Sequence, residues 1–225
     1  MNKGKLIVIE GGDSSGKATQ TALLKQALKK EGIAVEELDF PRYDDNQVGA
    51  LIKECLKGQH EDFIKSDPRL AAVLYAADRK ESLKQISEWC EQGKVVLLDR
   101  YTSASLVHQG GKCDDAEKRK EIMRWIYKLE HDIFGIPKPD LLFYLHVPAE
   151  TRLALLQKQQ KENGRELDLA ESNQVHQEQV DRAASDMLDM YEDAIVVQCM
   201  KEDFLLPKED IAAIIETHVT KLLAT

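Results

Sequence analysis

The sequence predicts an α/β domain in which a parallel sheet lies sandwiched between helical layers, and three observations carry that expectation. Short apolar runs alternate with longer helix-period segments along the whole chain. All but the second of these runs lack the in–out alternation of a half-exposed strand, as strands covered on both faces do. A glycine-rich stretch, GGDSSGK at 11–17, stands directly after the first apolar run and directly before the first helical segment. Strand, helix and strand in repetition lead to parallel pairing with right-handed crossovers.

Five runs are expected as strands: KLIVIE (5–10), IAVEELDF (33–40), KVVLLD (94–99), DLLFYLHV (140–147) and AIVVQCM (194–200). Helical periodicity covers 17–31, 48–57, 68–92, 115–134, 149–163, 171–191 and 208–223. Asp67-Pro68 has the form of an N-cap followed by proline in the first turn, and Gly32, Gly58 and Gly93 sit where helices end. The stretch 157–174, QKQQKENGRELDLAESNQ, is polar with one glycine and is expected to be a mobile lid. There are no internal repeats, and 225 residues suit a single domain over 1–225.

Composition narrows the function. Lys and Arg total 31 against 40 Asp and Glu, a net charge of −9, so a broad basic surface for nucleic acid is not expected. No segment has the length and apolar character of a membrane span, which leads to a soluble, cytoplasmic protein with no membrane partner. Cys55, Cys90, Cys113 and Cys199 form no C-x-x-C pair and are expected to be reduced thiols.

The loop at 11–17 has the frame G-x-x-x-x-G-K, with Gly11, Gly16 and Lys17 in register. Glycines let the backbone wrap a phosphate so that successive N–H groups and the helix N-terminus face it, and the lysine reaches the terminal phosphates. The hydroxyl that usually follows is replaced by Ala18, and Thr19 is turned by about 100° round a helix of 3.6 residues per turn. A metal would then lean on phosphate oxygens, water and a carboxylate elsewhere, with Asp99 at the end of the third strand the natural candidate.

Ligands in such sheets gather at the carboxyl ends of the strands. After the second strand comes FPRY, with Arg42 between Phe40 and Tyr43; after the third, DRY, with Arg100 beside Asp99. On the helix that starts at Asp67, Tyr75 and Arg79 are four apart and share a face. An aromatic plane beside a guanidinium suits a base and a phosphate or carbonyl, although a core tyrosine with a solvated arginine is the commoner reading of such a pair. His108 and Gln109 have the chemistry to hydrogen-bond a sugar or base. Lys158, Lys161 and Arg165 of the lid offer cations that arrive on closure.

IEGGDSSGKATQ, FPRY, LYAADR, DRYTSASLVHQ and PKPDLLFYLHVPAE, in this order and at these separations, resemble the thymidylate kinase family from about Lys5 to about Tyr191. The resemblance implies a three-layer α/β/α P-loop kinase fold with a five-stranded parallel sheet and a mobile lid. It implies Mg²⁺-dependent transfer of the γ-phosphate of ATP to dTMP, and commonly a homodimer. By position, Gly11, Gly12, Asp13, Ser14, Ser15, Gly16, Lys17, Ala18 and Thr19 would bind ATP, with Lys17 on the transferring group. Asp13 would also contact the acceptor sugar, and Arg42 and Arg100 the acceptor phosphate. Tyr75 falls where an aromatic stacks on the base and Arg79 where an arginine reaches base or phosphate. Phe40, Tyr43, Ser105, His108 and Gln109 complete the implied acceptor set, and Asp99 would organise Mg²⁺.

No arginine stands beside Asp13, so the chain resembles the bacterial type in which the lid supplies the catalytic cation. Arg165 is assigned that role, with Lys161 and Arg152 as the alternatives. Two other functions fit the same residues: a related deoxynucleotide or nucleoside kinase, and a non-catalytic nucleotide sensor, which only Ala18 favours.

Overall fold

The computed structural model describes residues 3–60, 67–163 and 174–224. Strand β1 (Lys5–Gly11) is followed by α1 (Lys17–Lys30), β2 (Val35–Asp39), α2 (Gln47–Leu56), α3 (Pro68–Glu81), α4 (Leu83–Glu91) and β3 (Val95–Asp99). Then come α5 (Thr102–Gly110), α6 (Ala116–Lys128), a π-helical turn (Leu129–Ile133), β4 (Leu141–His146), α7 (Ala149–Asn163), α8 (Gln174–Leu188) and β5 (Ala194–Gln198). A two-stranded hairpin, β6 (Met200–Lys201) and β7 (Phe204–Leu205), leads into α9 (Lys208–Leu223). Among the described residues no helix is long and apolar enough to cross a membrane.

Five strands form one sheet in the order β2-β3-β1-β4-β5, every pair parallel. Alternate residues of the strands feed two separate cores. Leu6, Val8, Leu98, Leu142 and Tyr144 pack on one face against α3, α5, α6 and α8. Ile7, Ile9, Leu97, Phe143 and Leu145 pack on the other against α1 and α9. The three-layer architecture therefore follows from strands that are apolar on both sides.

Register aligns the functional ends. Ile9 lies opposite Asp99, Asp39 opposite Asp99, and Gly11 opposite Leu145, so the segments that follow β1, β2, β3 and β4 emerge along one edge. The connection from β1 runs towards β2 and that from β4 towards β5, which leaves a crevice above the sheet centre where ligands collect.

Several boundaries differ from the sequence expectation. The helix expected over 68–92 breaks at Ser82, whose N–H bonds to the carbonyls of Arg79 and Lys80 before Ile86 N bonds back to Ser82 O and restarts the helix as α4. The expected helix over 115–134 ends as α6 at Lys128 and continues as the π-helical turn. Residues 157–163 of the expected lid continue α7, while 164–173 lie outside the described residues, as does the start of the helix expected at 171. The run expected over 194–200 stops as β5 at Gln198, with Met200 already in the hairpin. The caps agree with the sequence: Asp67 accepts from Arg69 N with Pro68 at the first helical position, and Gly32, Gly58 and Gly93 take φ of 77°, 75° and 76° past their helix ends.

Candidate active site

The loop between β1 and α1 turns through left-handed backbone at Ser14 (φ 59°) and Gly16 (φ 95°), which exposes consecutive N–H groups at the head of α1. Lys17 opens α1 and is buried, and its ammonium donates to the carbonyls of Gly11 and Gly12, both at 2.9 Å. Burial pushes its pKa down from 10.5 to about 8, helped by Arg100 and opposed by Asp13, Glu10 and Asp99. The lysine thus fills the loop that it would vacate for a phosphate. Ser15 adds a hydroxyl that is buried without a hydrogen-bond partner among the described residues. Ala18 and Thr19 are both exposed at the start of α1.

Across the crevice Arg100, the residue after β3, takes φ 64°, a strained conformation for a side chain of its size, fixed by its N–H to Ile9 O at 3.2 Å. That turn aims its guanidinium at the loop, where it forms an ion pair with Asp13 and a 2.9 Å hydrogen bond with His108 Nε2. Asp13 and Arg100, 87 positions apart, are therefore one unit. Burial alone would lower the Arg100 pKa; the carboxylates of Asp13, Glu10 and Asp99 more than offset it and raise it. Burial pushes the Asp99 carboxyl above the usual range, with Lys17 and Arg100 pulling the other way.

The acceptor-side residues divide. Arg42 and Tyr43 are half-buried on the loop after β2, with Arg42 Nη2 at 3.0 Å from Asp45. Asp78 on α3 holds this loop by accepting from Arg42 N at 3.2 Å and from Asn46 Nδ2 at 2.8 Å. Gly49 permits the same approach from α2, because a Cβ there would lie 2.0 Å from Arg42 O. Tyr75 is half-buried on α3. Phe40, expected to line the acceptor site, is buried against Tyr101, ring centroids 6.0 Å apart, in the core on the α3–α5 side of the sheet. The usual reading of Tyr75 and Arg79 as core tyrosine and solvated arginine also fails: Arg79 is 1% exposed, bonded to Glu130 through Nε at 2.7 Å and to Ser105 Oγ through Nη2 at 2.5 Å. Gln109 is buried with its Oε1 unpartnered among the described residues.

Of the lid cations, Arg165 lies outside the described residues, and Lys158 and Lys161 are exposed on α7. Arg152 is buried beneath the loop. Its Nε donates to Val147 O at 3.0 Å, Nη2 pairs with Asp181 of α8, and its guanidinium lies so close to Gly12 that a Cβ there would come within 2.1 Å of Nη1.

Sequence reasoning missed four acids. Glu10 is fully buried at the end of β1, accepting from Gly11 N at 2.9 Å and from Ser103 Oγ at 2.8 Å. Asp78, Asp181 and Glu130 each hold a cation or loop named above. The signal for Glu10 was present: an acid closing a run of apolar residues buried on both faces must have partners. For the other three, only the fold reveals the partner.

The family model described as Thymidylate kinase matches residues 9–202 of this chain. The thymidylate kinase of Exiguobacterium sp. is 31% identical over 212 residues, covering 90% of this chain and 92% of the relative. That of Mycobacterium tuberculosis is 34% identical over 145 residues, 64% and 67% of the two chains, and that of Plasmodium falciparum 32% identical over 146 residues, 65% and 63%. A match over residues 9–202, which contain the loop, Arg42, Asp99 and Arg100, together with a relative aligned over nine-tenths of both chains, places this chain in the thymidylate kinase family.

Proposed function

We propose that the protein transfers the γ-phosphate of ATP to dTMP, giving dTDP and ADP, with the donor on the Gly11–Thr19 loop and the acceptor on the facing wall. The observation that carries this reading is the pairing of Asp13 with Arg100, which couples the donor loop to a cation at the end of β3. A protein that only sensed a nucleotide would have no use for that second cation.

Phosphoryl transfer asks the protein for positioning and charge stabilisation, with little covalent chemistry. Lys17 moves from the loop carbonyls to the transferring group. Arg100, already aimed by its turn, takes the acceptor phosphate with Arg42, whose present partner Asp45 is exposed and easily exchanged. Tyr75 stacks on the base, and Tyr43, Ser105, His108 and Gln109 complete the wall.

Mg²⁺ fits the residues present. Among the described residues no group of three acids, histidines or cysteines is arranged to hold a metal, which suits an ion that keeps several waters and leans on phosphate oxygens plus one carboxylate. Asp99 would hold it, directly or through water. When bound, the ion would neutralise charge on the phosphate oxygens. The lid cation is assigned to Arg165. The working unit is one domain over 1–225, cytoplasmic, and a homodimer.

The test is an ADP-release assay with ATP and Mg²⁺ against dTMP, dUMP, dCMP, dGMP and thymidine, with the diphosphate product identified directly. Turnover on dTMP well above the rest is expected. ATP binding without turnover on any acceptor would replace this reading with the sensor.

A further inference from the structure

The most deeply buried ionic cluster among the described residues lies behind the acceptor wall. Glu130 is 0% exposed and Arg79 1%, and the carboxylate takes both Nε (2.7 Å) and Nη2 (2.5 Å) of the guanidinium. The other hydrogen of Nη2 goes to Ser105 Oγ. With Nε and Nη2 committed, Nη1 makes no hydrogen bond to another described residue. The guanidinium has one amino group left to give.

Three features separate this cluster from an ordinary clamp between helices. A buried ion pair is a poor stabiliser, since an apolar pair of the same volume usually serves as well, so fixing an orientation is the better account of it. Glu130 reaches the interior on a rare backbone device: in the π-helical turn Phe134 N bonds to Leu129 O at 2.9 Å, five residues back, which carries both Leu129 and Glu130 inward. And Arg79 is one turn along α3 from Tyr75 and adjacent to Asp78, which holds the Arg42 loop. The same helix thus carries the aromatic plane, the loop anchor and the immobilised guanidinium.

We propose that Glu130 is a positioning residue for acceptor recognition: it locks Arg79 and Ser105, and so fixes Nη1 of Arg79 in the one orientation from which that arginine makes the contact with a base carbonyl beside Tyr75 that the family resemblance implies. This rests on the acceptor-site reading above. Arginine carries donors only, so it matches the ring position at which thymine and uracil have oxygen, and it opposes cytosine, which has an amino group there. Were Arg79 free to rotate, a different edge could avoid that clash; Glu130 removes the choice. Selectivity for the keto base therefore resides in a residue that never touches it.

The experiment compares Glu130→Gln, Arg79→Met and the double variant Arg79→Met/Glu130→Met in the full chain. The readouts are kcat and KM for dTMP and dCMP, KM for ATP, and Tm. Glutamine keeps the volume of Glu130 but sets an amide donor against Arg79. The expected result is a dTMP KM raised about tenfold or more, the factor a charged hydrogen bond supplies, with kcat and the ATP KM within about twofold. The dTMP-to-dCMP preference should narrow by a similar factor. The double variant, with an apolar pair in place of the ionic one, should show the same dTMP KM as Arg79→Met alone, because Glu130 acts only through Arg79. A lower Tm with an unchanged dTMP KM in Glu130→Gln, or equal losses for dTMP and dCMP, would make Glu130 a structural clamp and overturn the proposal. If Arg79→Met raises the dTMP KM while Glu130→Gln does not, only this inference fails. If Arg79→Met also leaves it unchanged, the acceptor-site role of Arg79 fails with it.

Discussion

On the proposed function, the donor loop and the acceptor wall solve the same problem, holding cations near a polyanion, in opposite ways. The loop draws its groups from seven consecutive residues, Gly11 to Lys17, and shapes them with backbone: two left-handed turns and a helix start. Its lysine is held by its own carbonyls, and the proposed transfer requires it to move. The wall is gathered from β2, α3, α5 and the π-helical turn, and its deepest cation is already bonded to partners 26 and 51 residues away. A local motif can afford a mobile charge because the backbone does the shaping; a wall assembled from distant elements needs its charges immobilised.

Three substitutions probe that contrast directly. Lys17→Ala removes the mobile charge and should lower kcat by about 10³-fold, the scale of a lost transition-state contact, while Tm holds or rises because a buried ammonium has gone. Steady turnover at the parent rate would end the catalytic role given to this lysine. Arg100→Ala should raise the dTMP KM about a hundredfold, since truncating one partner of a close charge pair strands Asp13, and leave the ATP KM nearly unchanged. Equal loss of both substrates would show that loop and wall are not separate units. Gly12→Ala sets a methyl within 2.1 Å of Arg152 Nη1 and should cost about 1–3 kcal/mol in denaturant unfolding, as overpacking does. An unchanged midpoint would mean that the loop and α7 are not packed as tightly as the geometry requires.

What the sequence made legible follows the same division. Four of the five strands were foreseeable because two-sided burial leaves continuous apolar runs, and the loop because its chemistry is contiguous. Helix α5, TSASLVHQG, showed no helical period because eight of its nine residues are buried, which erases the polar face that periodicity needs. The break at Ser82 was hidden because the residues on either side remain good helix formers. Asp13 and Arg100 could each be named, but their pairing required the register that sets Ile9 opposite Asp99. Glu130 could not be named, since a lone acid at the end of an amphipathic helix is ordinarily solvated; only the π-helical turn carries it inward. The depth of Phe40 was hidden for a related reason: it is buried against Tyr101 while Arg42 and Tyr43 close by are half-buried, and a cluster of functional residue types gives no sign of where the core ends.

The mobile lysine also sets a pH dependence. With its pKa lowered from 10.5 to about 8, Lys17 is charged at pH 7 and neutralises through pH 8 in the nucleotide-free protein. Its buried charge costs stability below pH 8, and the cost is relieved between 8 and 10.5, so stability from this group rises with pH over that window. If Lys17 meets the ATP phosphates as proposed, ATP needs the protonated form. Affinity should therefore fall about threefold from pH 7.5 to 8.5, with proton uptake on binding visible calorimetrically in buffers of different ionisation enthalpy. Binding without proton uptake would mean that the lysine never leaves the loop carbonyls.

The smallest expected effect is the most informative about the metal. Ala18→Ser restores the hydroxyl next to Lys17, and if Mg²⁺ sits on phosphate oxygens, water and Asp99 alone, the added ligand only replaces one water. The Mg²⁺ half-saturation concentration should then fall by about two- to threefold with kcat almost unchanged, because this ion retains most of its hydration in either case. A gain of tenfold or more in kcat would show that the native loop is short of a ligand, and that Asp99 does not organise the ion. Paired with Asp99→Asn, which should raise the half-saturation far more than Ala18→Ser lowers it, the measurement decides whether the metal belongs to the loop or to the opposing edge of the sheet.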